Sequence, residues 1–280
     1  LKSRFKKLKR YRIIDQKNKG PAGASNAAIK AAKGDYIVSV DSDAVLDNRF
    51  IERAVDALKK HRDVGVVGGY IGTANPRSFW ARMMGYDLEY RYAHIGGHKA
   101  KKALVEHVSP NSTVYRREVF KKAGYFDDKY HYCQDVEFSY RVVGAGYRIM
   151  LLKDVGSVHH WRETFLGYTK QQFNVSYWRM KLVKKNPGKV KGDKVAGLRM
   201  FMQVPLTGLI GLLYVVSIFY NPLWKVPTVL LGLLLLERYT EAVYVLFAKR
   251  SLSALLMPIV HLWRNVVWGF AGLAYIVGRK

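Results

Sequence analysis

The sequence of 280 residues is short of cysteine and short of acid. Its single cysteine, Cys133, excludes an internal disulfide framework and a four-cysteine zinc site. Asp and Glu number 21 against 47 Lys and Arg, a formal charge of +26. That excess points to an anionic partner: a nucleic acid, a nucleotide, or the negative cytoplasmic face of a membrane. The run from Leu1 to Arg10 lacks an apolar core, so it is not a signal peptide. It also lacks an initiator Met, which hints at a fragment. The chain has no internal repeat and no low-complexity segment.

Charge is absent altogether from Met200 to Trp224. That is enough for a membrane span of roughly 20 residues, and Pro205 and Gly208 are tolerable inside one. Two further apolar stretches follow. Val226 to Ala248 is interrupted by Glu237, Arg238 and Glu241, and Leu252 to Gly278 by His261 and Arg264. Each spans only if those groups face protein or an interface. A second span is expected, and the third stretch spans, re-enters or lies in the interface. Glu237 and Glu241 share one helix face, and Arg264 is expected to pair with one of them. Ahead of these stretches, residues 179–196 form a basic connector in which Arg179, Lys181, Lys184, Lys185, Lys189, Lys191 and Lys194 face only Asp193. The connector and Lys249-Arg250 would share the cytoplasmic side. The expected organisation is an α/β unit over 1–178, the connector over 179–196, and a membrane region of two or three helices over 197–280. The protein is thus expected at a membrane, multi-pass, with its α/β unit cytoplasmic.

Strand and helix signals alternate in the first unit. Tyr11 to Asp15 reads as a strand, Gly23 to Lys33 as a helix, Tyr36 to Val40 as a buried strand, Asn48 to Arg62 as an amphipathic helix, and Val64 to Ile71 as a third strand. This order predicts a mostly parallel sheet flanked by helices.

Asp41-Ser42-Asp43 stands where the strand Tyr36 to Val40 ends. Ligands of open α/β sheets bind beyond the carboxyl ends of strands, and carboxylates there hold Mg²⁺ or Mn²⁺ with a diphosphate. Asp-Ser-Asp by itself fits an ordinary polar turn equally well. Lys19-Gly20-Pro21-Ala22-Gly23 leads into a helix N-terminus, a place suited to phosphate. Gln134-Asp135 opens another helix, where the dipole favours an ionised Asp135 and a positioned carboxylate can act as a general base. His159-His160, after a strand signal, leaves one plausible ligand.

Taken in order, these segments resemble family 2 glycosyltransferases with the GT-A fold. The resemblance rests on Asn18-Lys19-Gly20-Pro21-Ala22-Gly23-Ala24-Ser25-Asn26, Ala32-Lys33-Gly34-Asp35-Tyr36, Asp41-Ser42-Asp43, Arg116-Arg117-Glu118-Val119-Phe120, Gly124-Tyr125-Phe126-Asp127, Gln134-Asp135 and His159-His160. It covers roughly residues 11–185, and the ordered set is more specific than any one motif. The resemblance implies a nucleotide-sugar donor, gripped by Asn18, Gly20, Pro21, Gly23, Asn26 and Asp41. It implies a divalent cation, Mg²⁺ or Mn²⁺, held by Asp43 with Asp41 and His159 (His160 the alternative), and Asp135 as catalytic base of an inverting transfer. Lys170-Gln171-Gln172-Phe173 and Tyr177-Trp178-Arg179 look like the family's membrane-proximal helix. The implied acceptor is lipid-linked or a polysaccharide at a membrane, with membrane lipids as partners. Gln134 stands where the family usually has Glu, and Ser25 where Arg is common. The family's opening strand-helix-strand has no counterpart here, so the expectation is a fragment or truncated reading frame, or a separate chain that supplies that half.

A second class of reading is a non-catalytic, basic, membrane-anchored binding module, or an inactive glycosyltransferase fragment. Phe79, Trp80, Tyr86, Tyr90 and Tyr92 lie among Arg77, Arg82 and Arg91, which superficially suits base stacking. No nucleic-acid signature accompanies them, the spacing fits an amphipathic helix as well, and nucleic acid is not expected as a partner.

Overall fold

The computed structural model describes residues 11–278. Helix α1 (Gly20–Ala31) precedes strand β1 (Tyr36–Ser39) and the short β2 (Ala44–Leu46). Helix α2 (Phe50–Lys60), β3 (Val64–Thr73), α3 (Phe79–His94), β4 (Lys102–Val105), β5 (Thr113–Arg116) and α4 (Arg117–Ala123) follow. The α/β layer closes with α5 (Gln134–Gly144) and β6 (Arg148–His159). Four long helices complete the chain: α6 (Phe165–Lys185), α7 (Leu198–Ser217), α8 (Lys225–Lys249) and α9 (Met257–Val277).

The six strands form one sheet in the order β1-β5-β3-β6-β2, with β4 also on β6. Only β3 and β6 pair in parallel; β1–β5, β3–β5, β2–β6 and β4–β6 are antiparallel. The sheet is therefore not mostly parallel. The alternating strand and helix signals gave the direction of β1, β3 and β6 correctly, since these three run the same way. The intervening strands β2, β4 and β5 are only three or four residues long, too short for a clear period, and each returns against them.

Tyr11 to Asp15 is exposed and forms no strand of the sheet. Among the described residues β1 pairs with β5 alone. Helix α1 begins earlier than expected because Pro21 falls in its first turn, where its missing N–H costs nothing.

The pleat sorts the core onto two faces. Val66, Ile149 and Leu151 pack with Phe126, Phe138 and Val142 on one side. Val67, Met150 and Leu152 pack with Phe50, Ala54 and Leu58 of α2 on the other. At the middle of the β3–β6 ladder the register shifts between Gly69 and Tyr70. There the two strands nearly touch, and a Cβ on Gly156 would overlap the Tyr70 backbone.

Helix α3 joins this layer to the C-terminal helices. Ser78 caps it, its Oγ accepting from Ala81 N at 3.3 Å. Its Met83, Met84 and Tyr86 pack on Tyr168, Ala242, Val245, Met257 and Val260. The aromatics that superficially suited base stacking are thus packing residues: Tyr86 and Tyr92 are buried, and Tyr90 meets Tyr244 edge-on at 5.4 Å.

By length and composition, the helical segments able to cross a membrane are Leu198–Ser217 and Leu252–Val277, with mean hydropathies of 1.7 and 1.2. The second apolar stretch, α8, is not one of them, because Glu237, Arg238 and Glu241 interrupt its centre. Those groups are paired. Arg238 bridges Glu237 and Glu241, and Arg199 and Gln203 of α7 reach Glu237. Arg264 pairs with neither glutamate. Its Nη1 donates to Asp87 of α3 at 3.0 Å, and His261 Nε2 lies 3.3 Å from the same oxygen. Asp87 was hidden from any expectation built on the apolar stretches alone, because it comes from the α/β layer.

The close approach of β3 and β6 gives a direct test. Gly156→Ala should lower stability by about 3 kcal/mol through overpacking against backbone. Thermal unfolding of the purified protein measures this, and an unchanged midpoint would contradict the geometry.

Candidate functional site

The register of β2 on β6 builds the first part of the site. Ala44 pairs with His159, so the preceding Asp43 comes alongside the end of β6. His160 N donates to Asp43 O at 2.9 Å and locks that approach. The result is Asp43 Oδ1 at 3.4 Å from His159 Nδ1. Of the adjacent histidines, His159 is the one that faces Asp43. His160 turns outward, near Glu163 at 3.5 Å. Burial holds the His159 imidazole below its ordinary pKa, with Asp43 opposing, so it is neutral at pH 7. Its Nδ1 is buried without a hydrogen-bond partner among the described residues. Asp41, on the same turn, is raised to about 6, first by burial and then by the charges of Asp43 and Asp135.

Asp135 stands in the first turn of α5. The preceding Cys133 takes a left-handed conformation at φ 59°, which turns the chain sharply into the helix. Burial raises the Asp135 pKa, while His107, its own and the Val136 backbone N–H, and Arg179 pull the other way. The carboxyl is a stronger base than a free aspartate, and cations stand near it.

Asp41, Asp43, Asp135 and His159 all line one cavity of about 1320 Å³. Pro21 joins them from α1. Asn18, Gly20, Gly23 and Asn26 are not in its lining. The Asn18 side chain accepts from Gly20 N at 2.9 Å and shapes the turn. Asn26 clamps Phe126 from both sides, donating to its carbonyl at 2.8 Å and accepting from its N–H at 3.0 Å. Gly20, at φ 72°, sits under His131.

Asp193 is the residue that the sequence reading passed over as a site element. Its carboxylate is fully enclosed and receives Tyr140 Oη at 2.8 Å, His107 Nδ1 at 3.1 Å and Arg179 Nη2 at 3.3 Å. The backbone N–H groups of Val195 and Ala196 also donate to it. Burial would raise its pKa, but His107, Arg179 and these N–H groups win and hold it far below the usual carboxylate range. The connector is therefore folded against α5 and α6, and Val190, Val195 and Ala196 line the cavity. The available signal was that Asp193 is the lone acid in a basic run.

The residues fit a divalent cation in part. Asp43 and His159 form an adjacent oxygen and nitrogen pair, and the orphaned His159 Nδ1 lacks a partner that a cation would provide. No cluster of three or more His, Cys, Asp or Glu able to enclose a metal occurs among the described residues. This matches the habit of Mg²⁺ and Mn²⁺ of taking one or two protein carboxylates and completing their shell with water and substrate phosphate.

An α/β sheet of this topology with carboxylates beyond its strand ends is the GT-A type of fold. Over 96% of this chain and 70% of the other, it superposes with a TM-score of 0.55 and 16% identity on a mannosyltransferase from Pyrobaculum calidifontis solved with GDP-Man and Mn²⁺. Residues 1–124 match the family described as Glycosyl transferase family 2. The poly-beta-1,6-N-acetyl-D-glucosamine synthase of Staphylococcus epidermidis is 28% identical over 127 residues, 44% of this chain and 30% of that protein. The succinoglycan biosynthesis protein ExoA of Rhizobium meliloti is 26% identical over 177 residues, 61% and 52% of the two chains. The matched stretch thus spans between about a third and a half of these relatives.

Asp193→Ala would strand buried Arg179 beside His107 and Tyr140. It should destabilise the protein by about 3–5 kcal/mol. The contribution of Asp193 is present above the unfolded carboxylate pKa near 3.9 and is lost as pH falls through its depressed folded value. Denaturant titrations at pH 7 and pH 3 should therefore show the wild-type advantage over Asp193→Asn shrinking in acid. An advantage independent of pH would exclude the charge as its cause.

Proposed function

We propose that the protein is an inverting glycosyltransferase that moves a sugar from a nucleotide-sugar to a lipid-linked or polysaccharide acceptor at a membrane. The observation that carries this reading is the convergence of Asp41, Asp43, Asp135 and His159 on one cavity. That cavity also reaches the apolar helices α7 and α9. The kinship with a poly-N-acetylglucosamine synthase and a succinoglycan biosynthesis protein supports an acceptor of the polysaccharide-building kind. Membrane action is supported by the two apolar helices and by their outward faces, where Leu212, Val215, Phe270 and Val277 are exposed.

Asp43 and His159 would hold the divalent cation, which when bound supplies positive charge to the departing diphosphate. Asp41 adds a carboxylate to the same turn. Asp135 Oδ would accept the proton of the acceptor hydroxyl as that oxygen bonds the anomeric carbon and the bond to the diphosphate breaks. Its raised basicity suits this role, and Arg179 and His107 balance its charge between turnovers. The aspartate acts in the transition state, so its loss falls on turnover rather than on donor binding.

In the full-length protein, Asp135→Asn should lower sugar transfer by roughly 10²–10⁴-fold with donor binding nearly intact. Asp43→Asn should instead weaken metal-dependent donor binding. Transfer from a panel of labelled nucleotide-sugars, with donor affinity measured alongside, checks both. Unchanged transfer in Asp135→Asn would place the base elsewhere.

A further inference from the structure

A guanidinium with an unused edge lines the same cavity. Arg264 on α9 is only 2% exposed. Its Nη1 is committed to Asp87, but Nε and Nη2 are buried with no hydrogen-bond partner among the described residues. Nε and Nη2 form the side-on fork of the guanidinium, whose parallel donors match two oxygens of a phosphate or carboxylate. Buried donors left unpaired are costly, so the edge is built for an acceptor. No other carboxylate of this region is free for it: Arg238 and the exposed Arg199 engage Glu237 and Glu241, and Asp87 is shared with Arg91. Asp87 does not repel an incoming anion unopposed, because Arg91 Nη2 donates to its other oxygen at 2.8 Å.

The surroundings narrow the ligand. The Arg264 guanidinium lies over the Trp268 ring at 5.0 Å, and Trp268 Nε1 is fixed by Gln172 at 3.0 Å. Beyond Trp268 the lining is apolar or lacks a side chain: Val204 and Pro205 on α7, Gly269, Gly272 and Leu273 on α9. At Gly272 a Cβ would meet nothing within 4 Å. A free phosphate would use the fork and leave this trough empty, whereas an amphiphile uses both.

We propose that Arg264 binds the phosphate of a lipid phosphate whose apolar chain lies between α7 and α9, in the same cavity as Asp135. The proposal stands apart from the glycosyltransferase reading, in which Asp135 takes the proton of a hydroxyl, because an ionised phosphate oxygen offers it none.

The test uses the full-length protein in maltoside micelles, titrated calorimetrically with decyl phosphate, decanol and inorganic phosphate. Decyl phosphate should bind at least about tenfold more tightly than either control. Arg264→Gln should lose at least that factor. Arg264→Lys keeps the charge and the reach to Asp87 but lacks the fork, so it should also weaken decyl phosphate while remaining folded. Gly272→Leu fills the open trough and should weaken decyl phosphate but not inorganic phosphate. Wild-type affinity for decyl phosphate in both Arg264 variants would overturn the proposal. So would decanol or inorganic phosphate binding as tightly as decyl phosphate. Metal-dependent nucleotide-sugar binding, measured on the same samples, separates the two readings. Its absence from the wild type would sink the glycosyltransferase reading and leave the lipid-phosphate result standing, and its presence beside failed lipid binding would do the reverse.

Discussion

Asp87 is the group on which the arrangement depends. It stands on α3, a helix of the α/β layer, and its two oxygens collect Arg91 from that layer and Arg264 and His261 from α9. A carboxylate enclosed this deeply is tolerable only when cations compensate it. Arg264 in turn needs an anion at its depth in an apolar helix. Each group thus satisfies a need that the other creates. The packing of Met83 and Met84 on Met257 and Val260 adds apolar area to the same junction. With α3 held against α9, the space between the strand ends and the long helices becomes a deep, partly open cavity rather than a flat face.

That cavity carries charge of both signs. Asp41, Asp43 and Asp135 share one part, where burial first and then the two neighbouring charges raise the pKa of Asp41 to about 6. Like charges held this close favour a cation among them. Arg264, Arg91 and Arg179 line the same cavity and suit anions. Asp193 keeps the two populations in place by tying His107, Tyr140 and Arg179 to the folded connector.

The parts of the fold legible in the sequence were those with strong local signals. Val64 to Thr73 is almost continuously apolar, and it forms the buried strand β3 as expected. The apolar spacing of Phe50, Ile51, Ala54, Val55 and Leu58 marked α2; Phe50, Ala54 and Leu58 are its buried face, while Ile51 is exposed. Asp135 fell in the first turn of its helix, as expected. The antiparallel pairing escaped because β2, β4 and β5 are too short to show a period. The strand expected at Tyr11 to Asp15 did not form: among the described residues β1 takes its ladder from β5, and propensity does not decide which segments pair. Asn26 belonged to the phosphate-suited segment in sequence, yet both ends of its amide are spent on Phe126.

The sequence by itself carried the family resemblance and named the candidate side chains. Carboxylates at a strand end, an aspartate at a helix start and a histidine after a strand are local facts, readable from residue type and spacing. It also determined that the last third of the chain is apolar. Only the tertiary structure decided which groups meet. It chose His159 over His160 through the β2–β6 register. It paired Arg264 with Asp87 rather than with Glu237 or Glu241, and it turned the basic connector into a cavity wall around Asp193. Partner choice of this kind depends on distances between segments many tens of residues apart, and on which charges are excluded from water together. Neither is encoded in any local pattern.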